Sequence, residues 1–405
     1  MPCGLPADDA IPIGRYGRSN VGQAKTVYRT GLAYRYGRRM QTISGIHYNF
    51  SLPGLSNDEY FALIRNFRRH SWLLLYLFGA SPAVCSSFVE GREHDLETLG
   101  PGTLGRPFAT SLRMGRLGYQ SDAQASLAVS YNSLESYAAS LQDALTRPWP
   151  PYEAIGVRGA GGEYRQLATS LLQIENEFYG TIRPKRVVRP GERPLHALRD
   201  RGVEYVEARL MDLDPFCPVG IAAGTMRFLD VFLLHCLLAE SPPDSPAEIS
   251  ALARNQHRVA ARGREPGLTL VRGGQDVALF EWGGQVLAEC EPIAAALDAA
   301  NGVSLYSEAL VAAVAALGDA ASVPSARMLR EMRERFEGSF LRFGLAYSVQ
   351  HRRALEALPF AAEVQQRLAR LAEESVAEQR RIEAADDVPF ETYRQRYLAP
   401  EQLRG

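Results

Sequence analysis

The sequence predicts an α+β fold. A mixed sheet-and-helix half, residues 1–222, is followed by a helical half, residues 223–405, within one domain of catalytic type. Three observations carry this. Residues 41–53 (QTISGIHYNFSLP) and 202–216 (GVEYVEARLMDLDPF) alternate side chains with the period of two that a β-strand requires. Past Gly224 the chain becomes alanine-rich, with apolar residues at helical spacing. Strands and helices do not alternate regularly, which excludes a doubly wound parallel sheet.

With 405 residues the chain can bury a large core. The 45 basic and 46 acidic residues nearly cancel, so bulk charge favours neither a nucleic-acid nor a membrane partner. The five cysteines (Cys3, Cys85, Cys217, Cys236, Cys290) are scattered without a CxxC pair, which predicts reduced thiols and a cytoplasmic protein. The apolar run at 72–80 is far short of the roughly 20 residues that span a bilayer.

In chain order, residues 1–20 are irregular. Ala24, Val27, Tyr28 and Leu32 predict a helix over 21–34, against which Gly22 and Gly31 count. The strand at 41–53 follows, with Ile46, Tyr48, Phe50 and Leu52 on one face and His47, Asn49 and Ser51 on the other. Asn57 is the expected cap of a helix carrying Asp58 and Glu59 in its first turn and stopping at 79–82. Residues 89–110 read as loop, 109–120 is too short to type, and 130–146 reads as an amphipathic helix. The glycine-rich segments 154–167 and 270–280 predict hairpin turns; the first lacks the Gly-Lys-Ser/Thr of a phosphate loop. Further helices are expected at 226–239, 246–262, 283–300, 304–317, 324–343 and 360–384, the last on the surface. No Rossmann fingerprint, HExxH or GxSxG is present.

Chemistry concentrates in four places. A row of His, Asn and Ser opposite an apolar face suits a strand lining a pocket, because histidine handles protons or metals and Asn and Ser form hydrogen bonds. It equally suits a core strand with one satisfied histidine. In 202–216, Tyr205, Glu207 and Arg209 share a face. Glu207 and Arg209 are either a surface ion pair or a split site, with the carboxylate on Mg²⁺ and the guanidinium on phosphate. In 171–194, Glu175, Glu177 and Tyr179 precede Arg183, Lys185, Arg186 and Arg189, a run able to neutralise nucleotide phosphates or simply to be a solvated loop. Arg113 and Tyr119 form a fourth pair.

Together these stretches resemble the proteobacterial type of glutamate–cysteine ligase. The matching text is RYGRSNVGQAKTVYRTGLAYRYGRRMQTISGIHYNFSLP, YLFGASPAVCSSF, PFATSLRMGRLGY, LQIENEFYGTIRPKRV, GVEYVEARLMDLDPF and EAADDVPF, in that order along the chain. The resemblance implies a glutamine-synthetase-like fold, in which an antiparallel sheet forms a funnel surrounded by helices. It implies ATP- and Mg²⁺-dependent (possible also with Mn²⁺) ligation of the L-glutamate γ-carboxylate to the L-cysteine amine through an acyl phosphate, the first step of glutathione biosynthesis. By matching position it implies Glu207 and His47 as metal ligands, His47 also facing substrate and acting with Arg209 as a catalytic group, Arg209 as phosphate contact, Arg113 as partner of a substrate carboxylate, and Tyr28, Tyr119 and Tyr179 around the cysteine pocket.

The family has residues ahead of the point where this chain begins, which supply further carboxylates and sheet strands. The expectation drawn is a start assigned too late, ahead of a genuine fragment or a split protein whose strands come from a separate chain. Two other functions stay open at this stage: a non-catalytic binding or regulatory homologue, and a carboxylate–amine ligase with another amine acceptor.

Overall fold

The computed structural model describes residues 1–118, 122–125 and 127–404. Helix α1 (Asn20–Tyr36) leads through a short 3-10 turn to strand β1 (Ile46–Phe50) and helix α2 (Asn57–Phe78). A small sheet follows, β2 (Ala83–Cys85), β3 (Glu97–Gly100) and β4 (Thr103–Gly105), in the order β2-β4-β3. Helix α3 (Leu134–Thr146), strand β5 (Ile182–Lys185), helix α4 (Pro194–Arg201) and strand β6 (Tyr205–Met211) complete the mixed half. The central sheet has the order β1-β6-β5 and is antiparallel throughout.

The helical half contains α5 (Ala223–Leu238), α6 (Pro246–Arg262), α7 (Leu279–Asn301), α8 (Leu305–Gly318), α9 (Pro324–Arg335), α10 (Phe340–Glu356), α11 (Ala362–Ala384) and α12 (Phe390–Leu398). The hairpin β7 (Thr269–Arg272) and β8 (Gln275–Ala278) turns through Gly273 and Gly274, whose φ of 58° and 83° is open to glycine at little cost. Segment 154–167 carries one bridge, Arg158 to Tyr164, around its glycine turn. None of the described helices is long and apolar enough to cross a membrane. All five cysteines are free thiols.

The main core forms because α2 is apolar on most of its surface and lies under the central sheet. Val206, Ala208, Leu210 and Ile182 point inward and are fully buried with Phe61, Ile64 and Phe67 of α2. Each branched side chain so buried contributes about 1.5–3 kcal/mol. From the other side α5 packs on α2, with the Phe67 and Phe232 rings 5.9 Å apart, and α7 sets Trp282 4.9 Å from Trp72.

Several expectations need correction. The cap of α2 is Ser56, whose hydroxyl accepts from Glu59 N while Glu59 accepts from Ser56 N. Asn57 instead accepts from Val203 N, tying α2 to the start of β6. The helix expected from residue 130 begins at Leu134, after the Ser133 cap. Residues 89–110 contain β3 and β4, strands too short to show alternation. The helix expected over 324–343 is broken at 336–339, where Glu337 and Gly338 take φ of 52° and 76°. The glycines that counted against α1 are contact points: a Cβ on Gly31 would lie 2.2 Å from Gln173 Oε1.

Candidate active site

The outward face of the central sheet is assembled by register. Asn49 of β1 and Arg183 of β5 flank Glu207 of β6, and Lys185 stands opposite Tyr205. Directly paired residues share a face, so Glu207 has polar neighbours on both sides. An irregularity between Ile46 and Tyr48 interrupts the β1–β6 register, and His47 lies within it. On the reverse face Tyr48 anchors β1 by donating to Asp230 Oδ1 of α5 at 2.6 Å.

Glu207 is the meeting point. Its Oε2 accepts from Arg209 Nη1 at 2.8 Å and lies 3.3 Å from Lys185 Nζ; its Oε1 lies 3.2 Å from His47 Nδ1. Burial alone would raise the Glu207 pKa. The contacts with His47, Lys185 and Arg209 outweigh it and hold the carboxyl well below the usual carboxylate range. Lys185 is pushed down by burial and by the neighbouring Arg183, against the pull of Glu207. His47 stays 46% exposed, so the cluster opens to solvent on that side.

Arg183 sits at the base of this face, almost fully buried. Its Nη2 donates to the Asn176 carbonyl at 3.1 Å, and its Nε is buried without a hydrogen-bond partner. Burial, and then Arg209 beside it, lower its pKa. The face therefore gathers Arg183, Lys185 and Arg209 around one carboxylate. Sequence reasoning noticed the basic run but left Arg183 and Lys185 out of the site. The signal was the period-two spacing of Arg183 and Lys185, which only the pairing with β6 converts into a location.

The remaining expected residues lie further off. Arg113 is buried, its Nε on Asp212 Oδ1 and its Nη2 on the Leu210 carbonyl, each at 2.6 Å. Asp212 also accepts from Ala80 N and Ser81 Oγ, both at 2.8 Å, so a substrate carboxylate at Arg113 would share the guanidinium with Asp212. Tyr28 of α1 is buried in one apolar cluster with Tyr179 packed against it, and burial raises its pKa well above the usual value. The two tyrosines open onto different cavities, Tyr28 onto one of about 380 Å³ and Tyr179 onto one of about 420 Å³. Tyr119 lies outside the described residues. The segment bearing Tyr179 is fixed by Glu177, fully buried, which pairs with Arg35 Nη1 at 2.9 Å and accepts from Tyr36 Oη at 2.7 Å.

As a site for a metal held by protein alone, Glu207 and His47 are too few: one carboxylate and one imidazole, with two cations in contact. As one protein ligand to a metal arriving with phosphate oxygens, Glu207 fits, because Mg²⁺ sites commonly use one or two carboxylates plus substrate phosphates. Glu192, His196 and Asp200 also converge, but both carboxylates already pair with Arg201, at 2.6 and 3.2 Å.

A cation-flanked carboxylate on the open face of an antiparallel sheet, backed by helices, is an arrangement suited to receiving an anionic substrate. The comparisons give the family. The chain belongs to the glutamate–cysteine ligase family, whose sequence profile matches residues 1–259. It is 48% identical to the "Glutamate--cysteine ligase" of Azotobacter vinelandii over 100% of this chain and 80% of that protein. It is 49% identical to the protein of that name from Pseudomonas entomophila, over 98% of this chain and 78% of that one. A crystal structure of glutamate–cysteine ligase from Francisella tularensis in complex with AMP superposes with a TM-score of 0.92 at 35% identity, covering 98% of this chain and 80% of that one. A bifunctional glutathione synthetase from Pasteurella multocida shares the fold, with a TM-score of 0.56 at 22% identity over 80% of this chain and 39% of that one.

Proposed function

We propose that this chain joins the γ-carboxylate of L-glutamate to the amine of L-cysteine at the expense of ATP. The observation that carries the reading is the Glu207 cluster: three buried or half-buried cations around one carboxylate leave the face short of negative charge. An anionic substrate supplies it. The AMP bound to the Francisella relative supports a nucleotide as that anion.

In the proposed reaction a glutamate γ-carboxylate oxygen attacks the γ-phosphorus of ATP, and ADP leaves with the bridging oxygen. The cysteine amine then attacks the acyl phosphate carbon; phosphate departs, and the amine loses a proton to form the amide. Arg209 and Lys185 exchange their contact with Glu207 for phosphate oxygens and stay in place as charge develops, the arrangement that most lowers such barriers. Mg²⁺ entering with the nucleotide would neutralise phosphate charge, held on the protein side by Glu207, with His47 at the edge. Arg113 takes a glutamate carboxylate, sharing its guanidinium with Asp212. Tyr179, on the cavity of about 420 Å³, borders the cysteine side, and Tyr28 packs behind it in the same apolar cluster.

The test is phosphate release from the purified chain with ATP, Mg²⁺, glutamate and cysteine, omitting each in turn. Release that needs all four supports the reading, and other amines in place of cysteine define acceptor choice. Absence of release, with glutamate or cysteine still binding in calorimetry without nucleotide, would instead make the chain a binding protein on a ligase fold.

A further inference from the structure

Away from the central sheet, a cavity of about 490 Å³ opens between the 106–108 loop, the residues following α6, and α9. Its walls are of two kinds. Phe108 and Leu329 supply apolar surface, with the nearly fully buried Met332 in the lining, and Phe108 is 44% exposed. Arg264, Arg330 and Arg333 supply three guanidiniums, and among the described residues no Asp or Glu lines the cavity.

The hydrogen-bond partners of Arg264 and Arg330 are neutral carbonyls, and Arg333 has only a long, solvent-exposed carboxylate contact. Arg264 donates to the carbonyls of Pro107 and Ala109, and burial pushes its guanidinium down to about 10. Arg330 donates to the Ala321 carbonyl at 2.9 Å. Arg333 meets its neighbour Glu334 at 3.7 Å, with both side chains mostly exposed. Arg330 and Arg333 stand three residues apart on α9, so they lie on one side of the helix. Carbonyl oxygens satisfy N–H groups but do not neutralise the guanidinium charge, which leaves cations lining the cavity that an anion can pair with.

We propose that this cavity binds an organic anion, its phosphate or carboxylate held by Arg264, Arg330 and Arg333 and its flat apolar body against Phe108 and Leu329. The guanidinium fork matches both headgroups. The volume suits a small organic molecule. None of these residues belongs to the Glu207 face, so the site stands whether or not the ligase reading does.

The full chain would be titrated with anilinonaphthalene sulfonate, a flat apolar anion, and with N-phenylnaphthylamine, the same body without the charge. The expected result is saturable binding of one equivalent of the sulfonate, with the neutral compound at least about tenfold weaker. Arg330→Gln with Arg333→Gln weakens sulfonate binding by about tenfold or more, and Arg209→Gln leaves it unchanged. Should the double variant melt early, Arg333→Gln alone, at a mostly exposed position, carries the comparison. Displacement by adenosine monophosphate or by octanoate supports the site and tells phosphate from carboxylate. Displacement by neither, equal binding of the neutral compound, or undiminished binding by the arginine variants overturns it.

Discussion

Glu207 concentrates the electrostatics of the site, and its substitution separates charge from shape. Glu207→Gln keeps the side-chain length but leaves Arg209, Lys185 and Arg183 without an anion. Phosphate release is expected to fall by about 10²–10³, the range seen when one preorganised charge partner is removed. Arg209→Lys, which loses the planar fork, should retain more activity than Arg209→Gln but less than the parent. Activity of Glu207→Gln close to that of the parent would remove Glu207 from the site. Stability carries a second signature. The folded pKa of Glu207 lies below its unfolded value of about 4.3, so the stability from its ionised form is complete above that pH and is lost as pH falls below it. Between about pH 5 and pH 3 the parent should lose melting temperature more steeply than Glu207→Gln. Parallel curves would mean that the cluster contributes nothing to folding.

At the scale of elements, two glycines inside helices make opposite predictions. Gly31 in α1 faces the buried Gln173, whose Oε1 already accepts from Leu167 N at 2.9 Å and cannot move aside freely. Gly344 in α10 has open space where a Cβ would go. Alanine gains about 1 kcal/mol of helix propensity over glycine. Gly344→Ala should therefore raise the urea midpoint, and Gly31→Ala should lower it through the clash. A stabilised Gly31→Ala would show that α1 does not need its close approach to residue 173. The same pair shows what the sequence discloses. Helix α1 was legible from Ala24, Val27, Tyr28 and Leu32, but the reason for Gly31 lies 142 positions along the chain, in Gln173. Strands β1 and β6 were legible because five and seven residues are enough to show alternation. Strands β2 and β4 have three residues each and show none. The break at Glu337 and Gly338 was hidden because apolar spacing continues across it from α9 into α10.

For the whole molecule, the informative quantity is whether separate elements act as one site. The sequence placed Glu207 and Arg209 on one strand face and His47 on another strand. It could not bring Lys185 and Arg183 to the same carboxylate, since antiparallel pairing of β5 with β6 is a long-range choice. If that convergence is a nucleotide site, Mg²⁺ and ATP together stabilise the folded chain by mass action. At a concentration a hundredfold above Kd the gain is about 2.7 kcal/mol. For a chain of 405 residues this raises the melting temperature by about 3 °C. Lys185→Gln and Arg209→Gln, from two different strands, should each abolish most of the shift, whereas Gly344→Ala keeps it. Chelating Mg²⁺ should reduce the shift in the parent if metal and phosphate enter as a unit on Glu207. A shift that survives in both cation variants would place the nucleotide elsewhere, and the central face would then lose its claim to phosphate while keeping its role in the fold.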